Sequence, residues 1–249
     1  MDSPRYILTF VFTMTALVAL MLTGMRQVTM EKANLNEEIF NKRAILQAVE
    51  NYLPDGKKVS DLKDQEVLDI FKNQMQQIVV DMQGNTVEGI LAEDIDMAKE
   101  RKKADAERKL PLFIYQGEGV TSYILAVRGS GLWDEIWGSI ALEGDLNTIA
   151  GVAFDHKAET PGLGAEIKDN PAFRKQFIGK QIFENGQYVS VLVKKGGAEK
   201  GNLHQVDGIT GATITSDGVT KMLENGLKNY LPYLEQLKAK ENAQGMNIQ

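Results

Sequence analysis

The chain has 249 residues, of which 43% are hydrophobic, and it contains no cysteine. This length and apolar content predict one substantial buried core or two small ones. The lack of cysteine excludes a disulfide framework, a thiolate catalyst and cysteine-ligated zinc or iron–sulfur sites, so any redox role needs a bound organic cofactor. A net charge of −6, with the basic residues interspersed, argues against a nucleic-acid partner.

The first element is an uncharged apolar segment from Tyr6 to Met25. At about 1.5 Å per residue, a helix of this length crosses a hydrocarbon core of roughly 30 Å. A cleaved signal peptide is the alternative, but its apolar region would span about 7–15 residues and precede a small-residue cleavage site, which Leu22–Arg26 does not resemble. We therefore predict that residues 1–27 form a retained single-pass anchor in contact with membrane lipid.

Residues 28–109 are predicted to form a membrane-proximal region that begins with two helices. An apolar stripe from Leu35 to Leu53 predicts a helix that stops at the turn signal Pro54-Asp55-Gly56. Ser60 is predicted to open a second, short helix that runs through Phe71.

The same region is predicted to end in a hairpin and a charged segment. Residues 77–82 and 86–87, joined around Gly84-Asn85, predict the hairpin. The charge-rich stretch 93–109 predicts a solvated helix or a linker.

From residue 110 the sequence changes to short apolar runs separated by glycine-bearing turns. This pattern predicts a twisted, largely antiparallel sheet. A small helix around 171–177 and a terminal helix are expected to cover it, which gives an α+β domain over 110–240 and a polar tail over 241–249. The predicted strands are 112–115, 123–127, 137–142, 148–154 and 188–193.

The most informative motif, D-G-I-T-G-A-T-I-T-S at 207–216, lies just before the terminal helix. Apolar residues from Val219 to Leu234 recur at helical spacing, and Thr215, Ser216 and Asp217 have side chains that can cap a helix start. An uncapped start would instead offer free N–H groups and a partial positive charge to a phosphate. The pattern alone is compatible with both a capped helix start and a phosphate site. It matches neither a Walker A loop nor a dinucleotide-binding fingerprint.

The segment Asp207-Gly208-Ile209-Thr210-Gly211-Ala212-Thr213 resembles the flavinylation motif of proteins that carry FMN through a threonine phosphoester. The resemblance implies that Thr213 is the covalent acceptor, with Gly211 and Ala212 beside it. In that family a separate flavin transferase uses FAD and a divalent metal, and Asp207 and Gly208 would serve its recognition of the motif. An external enzyme also explains how a threonine hydroxyl with no activating base nearby in sequence could react.

A second block carries the same resemblance. Gly131-Leu132-Trp133, Trp137-Gly138, Asp145 and the run His156–Ile167 resemble, in this order, the C subunits of the Na⁺-translocating NADH:quinone reductase. The G subunits of the Rnf complex share part of the pattern. The long segment before residue 110 favours the C-subunit family, because Rnf G chains tend to be shorter there.

The resemblance implies an electron-transfer subunit of a membrane NADH:quinone (ubiquinone) reductase, with no complete catalytic site of its own. Its covalent FMN would take an electron from an iron–sulfur centre and pass it to a covalent flavin in a neighbouring subunit. Other subunits of the complex would oxidise NADH and pump sodium. The alternatives are an Rnf G-like flavoprotein, or an extracytoplasmic binding or sensor domain in which Thr213 only caps a helix.

The resemblance also implies a place in the cell: the bacterial inner membrane, with the soluble domain on the periplasmic side. The positive charges do not favour this orientation. Arg5 precedes the apolar span, whereas Arg26, Lys32, Lys42 and Arg43 follow it. We follow the resemblance, because flavin transfer in this family takes place outside the cytoplasm.

An isoalloxazine ring needs a pocket with flat apolar walls and a few hydrogen-bond donors. The segment Thr160-Pro161-Gly162-Leu163-Gly164 is predicted to supply such a loop, with Leu163 against the ring. Trp133 is a further candidate wall, although a core aromatic is the alternative. Lys195 could donate to the flavin or be an exposed strand-end lysine, and Thr215 could bind the phosphate or be a cap. The two histidines lie far apart in sequence, and we assign no metal site.

Overall fold

The structure, a computed structural model, describes residues 3–117 and 119–246, with side chains through residue 240. It divides into two compact units, with the boundary between Lys42 and Arg43. The first unit consists of most of helix α1, Pro4–Leu46, which is long and apolar enough to cross a membrane. The helix predicted to begin near Leu35 is a continuation of α1, because no helix-breaking residue separates the two segments.

The second unit contains the remaining elements. In chain order they are the 3₁₀ helices Gln47–Tyr52, Pro54–Gly56 and Val59–Asp61, α2 (Asp64–Gln74), β1 (Met75–Asp81), the 3₁₀ helix Ala92–Asp94, α3 (Met97–Glu100), the 3₁₀ helix Asp105–Glu107, β2 (Lys109–Gly117), β3 (Val120–Ser130), β4 (Glu135–Leu142), β5 (Ile149–His156), α4 (Glu166–Asp169), α5 (Pro171–Lys175), β6 (Phe183–Glu184), β7 (Gln187–Tyr188), β8 (Leu192–Lys194), β9 (Gln205–Asp207), α6 (Thr213–Lys228) and α7 (Leu231–Met246).

Strands β1 to β5 form one antiparallel sheet in sequential order. The predicted α+β class and the small helix near residue 171 are confirmed. Most residues of β2 and β5 are buried, whichever face of the sheet they point to. Strands of a sheet that is covered on both faces consist of continuous apolar residues, rather than of alternating apolar and polar residues. These strands could therefore be recognised from the sequence.

Helix α6 lies very close to strand β3, and glycines permit this approach. A Cβ atom on Gly226 would come within 2.7 Å of Val127 Cγ1, and one on Gly129 within 2.7 Å of Met222 Cβ. Near the helix start, a Cβ on Gly218 would meet Ser130 O at 2.5 Å. The helix therefore runs antiparallel to β3, and its N-terminal end lies where β3 ends.

The opposite face of the sheet is covered by the segments that precede β1. Tyr115 Oη on β2 donates to Tyr52 O at 3.0 Å, and Phe113 packs edge-on against Phe71 of α2. The strand β1, which comes from the predicted membrane-proximal region, pairs with β2 along its whole length. The sheet thus continues across the predicted domain boundary at residue 109.

Before residue 110, one predicted helix boundary is wrong and the predicted hairpin is shorter than expected. Helix α2 begins at Asp64 rather than Ser60, because Glu66 Oε2 accepts the Lys63 N–H at 2.7 Å and fixes the helix start there. The predicted hairpin is short: an antiparallel bridge joins Val80 and Thr86, Val87 N donates to Val79 O at 2.8 Å and Asp81 N donates to Asn85 O at 2.9 Å, while β2 pairs with the other edge of β1.

The charge-rich stretch 93–109 is less solvated than predicted. It contains the short helix α3, whose Glu100 is buried. The Glu100 carboxylate accepts the Lys109 N–H at 2.9 Å and pairs with Lys103. This segment is therefore held at the start of β2.

The predicted strand 188–193 is also wrong. It is split into β7 and β8, because Val189 N and Ser190 N both donate to Ile182 O and Ser190 has a positive φ of 61°. Neither piece joins the five-stranded sheet. At the C-terminus α7 continues to Met246, past the predicted start of the polar tail, and residues 247–249 lie outside the described residues.

Candidate functional site

Three segments meet at one end of the sheet. The turn between β3 and β4 is closed by a hydrogen bond from Gly131 N to Asp134 O at 2.8 Å. Beyond the end of β5, Lys157 N donates to Glu135 O at 3.0 Å, so the chain leaves the sheet next to that turn. The start of α6 lies at the same place because of its antiparallel course along β3.

The carboxylate of Glu159 joins these three segments. The residue is 5% exposed, and its Oε1 accepts the backbone N–H of Trp133 at 3.1 Å. Its Oε2 accepts the hydroxyl of Thr215, which is fully buried, at 2.6 Å. A buried carboxylate needs such donors to offset its desolvation.

The predicted loop Thr160–Gly164 follows directly and lies against the motif. Thr160 O accepts the N–H groups of Leu163 and Ala165, both at 3.1 Å, which makes the loop a tight turn. A Cβ on Gly164 would clash with Glu159 Oε2 and lie 2.6 Å from Thr215 Oγ1. A Cβ on Gly211, whose φ is +80°, would lie 2.8 Å from Leu163 Cδ2. The loop and the motif are therefore in contact, as a shared site requires.

Helix α6 begins at Thr213, and the predicted cap by Thr215, Ser216 and Asp217 is wrong. Ala212 occupies the N-cap position, and no side chain caps the helix. Thr215 donates to Glu159, and Ser216 Oγ accepts the Ile209 N–H at 3.2 Å, so tertiary contacts hold both hydroxyl groups inside the first turn. The Ser216 N–H donates to Ala212 O at 2.9 Å, whereas the N–H groups of residues 213–215 have no helical acceptor and form the positive end of the helix dipole.

Apolar side chains are exposed around Thr213, which is itself half-buried. Trp133 is 67% exposed, Ile214 57% and Leu163 41%. The alternative that Trp133 is a core aromatic is therefore wrong. Its indole Nε1 donates to Thr160 Oγ1 at 3.0 Å, which ties the ring to the loop.

The beginning of the motif is tied to the turn that carries Lys195. Strands β8 and β9 are parallel, and Gly208 N donates to Lys194 O at 2.9 Å. Asp207 Oδ1 accepts the Ala198 N–H at 2.6 Å. Lys195 is exposed on this turn, so it lies beside Asp207 and Gly208 although the chain separates them.

Glu159 has a structural role that the sequence did not predict, although the residue lies within the run His156–Ile167 that carries the family resemblance. A signal was available, because an acidic residue directly before Thr160-Pro161-Gly162-Leu163-Gly164 stands out among small and apolar residues. Its partners could not be deduced, since the Thr215 hydroxyl lies 56 positions further along the chain.

The segments of this site lie within a part of the chain that matches a known family. Residues 131–228 match the family model of the FMN-binding domain, which begins at the Trp133 turn and ends with α6. The chain is 32% identical over 230 residues to the C subunit of the Na(+)-translocating NADH-quinone reductase of Vibrio alginolyticus, and the alignment covers 84% of each chain. The chain belongs to this C-subunit family. The predicted family is thus confirmed.

Other members of the C-subunit family support the assignment over different lengths. The Vibrio anguillarum protein is 39% identical over 132 residues, which is 51% of each chain. For this and several other curated relatives, the match spans about half of their length. The crystal structure of the C subunit from Parabacteroides distasonis superposes with a TM-score of 0.70 at 36% identity, covering 81% of this chain and 94% of that one.

Proposed function

We propose that this protein is a membrane-anchored electron-transfer subunit of a Na⁺-translocating NADH:quinone reductase, and that it carries FMN on Thr213 through a phosphoester. The observation that carries the proposal is the uncapped start of α6 at Thr213, next to the exposed apolar side chains of Trp133, Leu163 and Ile214. The match of residues 131–228 to the FMN-binding domain family supports it.

The residues at this site suit both halves of FMN. The free N–H groups and the dipole of the first turn of α6 are donors for a phosphate. The Trp133 ring and Leu163 offer apolar surface to a flat tricyclic ring, and Lys195 offers a positive charge at the margin of the motif. When bound, FMN supplies one-electron transfer, while the protein holds it in place and shapes its surroundings.

The attachment step requires a second enzyme. Thr213 Oγ would attack the FMN phosphorus of FAD, forming the Thr–O–P bond and breaking the phosphoanhydride bond; AMP leaves and the hydroxyl proton is released. No described side-chain contact assigns Thr213 a base. A flavin transferase with a bound divalent metal would supply the activation, and Asp207, whose side chain is exposed, is a part of the motif that it could reach.

The remaining parts of the proposal concern location and partners. Helix α1 would anchor the protein in the bacterial inner membrane as a single span, with the FMN-binding domain on the periplasmic side. The partners would be the other subunits of the reductase, which supply and accept the electrons. Reporter fusions at the C-terminus would test the orientation, and purification from native membranes would identify the subunits.

The decisive experiment is a mass measurement on the chain co-expressed with an active flavin transferase. We expect the peptide that contains Thr213 to gain the mass of FMN less one water, and the denatured chain to show flavin fluorescence on a gel. An unlabelled chain, with a known substrate labelled in the same cells, would overturn the proposal. That result would favour a binding or sensor domain without covalent flavin.

A further inference from the structure

We propose that Glu159 is a positioning residue for the flavin-bearing end of α6, and that Thr215 acts through Glu159 rather than as a donor to the FMN phosphate. The inference rests on the proposed function, since it concerns the same site. It assigns roles to two side chains inside the site.

The Thr215 hydroxyl has a single hydrogen atom to donate. A threonine hydroxyl donates one hydrogen bond, and a phosphate oxygen accepts but cannot donate. Thr215 Oγ1 lies 2.6 Å from Glu159 Oε2, and the residue is completely buried. A carboxylate accepts only, so the Thr215 hydrogen is directed to Glu159 and is not free for a phosphate.

The Glu159 carboxylate connects the Trp133 turn with the first turn of α6. Glu159 Oε1 holds the backbone of Trp133 at 3.1 Å, and Oε2 holds the first turn of α6. A Cβ on either Gly131 or Gly164 would clash with the carboxylate, so both glycines leave room for it. One buried group therefore sets the spacing between a proposed ring wall and the turn that carries the acceptor.

The proposed phosphate therefore depends on backbone donors. With the Thr215 hydroxyl directed inward, the donors left at Thr213 are the backbone N–H groups of the uncapped turn. Glu159 fixes the orientation of those groups by holding the side chain of Thr215. Removing the Thr215 hydroxyl, the Glu159 carboxylate or both breaks the same contact, so the double change should cost little more than one single change, whereas the effects of two independent changes would add.

This difference defines the experiment. The full-length chain is prepared as wild type, Thr215→Val, Glu159→Met and the double variant, and each is incubated with FAD, Mg²⁺ and the flavin transferase. The initial rate of flavin attachment per folded chain is measured, together with the ³¹P resonance of the attached phosphoester. Thr220→Val is the matched control, because Thr220 lies on the same helix but its hydroxyl contacts Ser216 O and Val193 N.

We expect Thr215→Val to slow attachment about tenfold, as for a buried group that loses a partner. Glu159→Met should slow attachment at least as much. The double variant should be little slower than the slower single variant, because both changes break the same contact, and Thr220→Val should label normally. The ³¹P resonance should be the same in the double variant and in wild type, because the phosphate donors are backbone groups.

Two results would overturn the inference. If Thr215→Val slows attachment and displaces the ³¹P resonance while Glu159→Met labels like wild type, Thr215 contacts the phosphate directly rather than acting through Glu159. If Thr215→Val labels like wild type, Glu159 has no positioning role through that residue. Failure of the proposed function is recognised separately, since the wild-type chain itself would then remain unlabelled.

Discussion

The two ends of helix α6 differ in how their polar groups are satisfied. At the C-terminal end Leu223 and Leu227 are fully buried, and the hydroxyl of Tyr230 just beyond the helix contacts Pro111 O and Ala126 O at 2.8 and 2.9 Å. At the N-terminal end Ile214 is exposed and no side chain caps the backbone. Both ends are held by tertiary contacts, but only the N-terminal end keeps free backbone N–H groups for a ligand. Stability and binding should therefore respond to different substitutions.

The largest expected effect is at the acceptor itself. Thr213→Ala should abolish covalent labelling, while the free energy of unfolding changes by no more than about 0.5 kcal/mol, because no cap or buried contact is lost. Thr213→Ser should keep part of the label, and Thr121→Ala, at an exposed threonine of β3, should keep all of it. Mass spectrometry and denaturant titration measure the two quantities. Full labelling of Thr213→Ala would place the acceptor elsewhere.

The reverse behaviour is expected at the packed end. Leu227→Ala removes a fully buried side chain and should lower the free energy of unfolding by about 2–5 kcal/mol. Labelling per folded chain should stay unchanged, since the residue is almost four turns from Thr213. Chemical unfolding of the chain in detergent checks the first value. A labelling defect as large as the stability defect would show that the two ends are not independent.

Tyr230→Phe tests the polar part of the same end. Burial raises the pKa of Tyr230, so its hydroxyl remains a donor; its single hydrogen is shared between two carbonyl oxygens, and the variant removes it. We expect a loss of about 1–3 kcal/mol in unfolding free energy and no change in labelling. An unfolding free energy equal to that of wild type would mean that water replaces the hydroxyl.

At the binding end, Trp133→Ala should have the opposite profile. The side chain is two-thirds exposed, so stability should change by less than about 0.5 kcal/mol. The attached flavin should fluoresce more strongly, because an indole stacked on it would otherwise quench the emission. Trp137→Phe, at the other tryptophan of the chain, is the control. Unchanged emission in Trp133→Ala would remove Trp133 from the pocket.

The smallest effect concerns the ion pair beside the Trp133 turn. The hydrogen bond from Arg128 holds the pKa of Glu135 below its ordinary value. A lowered folded-state pKa stabilises the fold above the ordinary carboxyl range, and this contribution disappears as the pH falls through the folded-state value. Glu135→Gln should therefore cost less than about 1 kcal/mol at neutral pH and nothing in stronger acid. Equal losses at both pH values would assign the effect to packing.

The sequence by itself determined the features that depend on neighbouring residues. The apolar run in α1, the continuous apolar strands, the loop Thr160–Gly164 and the family motif ending at Thr213 could all be read locally. Each is encoded within a few consecutive positions, either by composition and periodicity or by a fixed order of residues. For this reason the fold class and the family were predicted correctly.

Only the tertiary structure decided how hydrogen bonds are shared between distant segments. Threonine is a common helix-capping residue, but the Thr215 hydroxyl donates to a carboxylate 56 positions away. Helix α6 starts at Thr213 without a side-chain cap. In the same way β1 pairs along its whole length with β2, whose partner residues begin 28 positions after the end of β1, and only briefly with the segment that follows its own turn. Local patterns state which groups need partners, whereas the packing of the sheet and helix decides which partners come within reach.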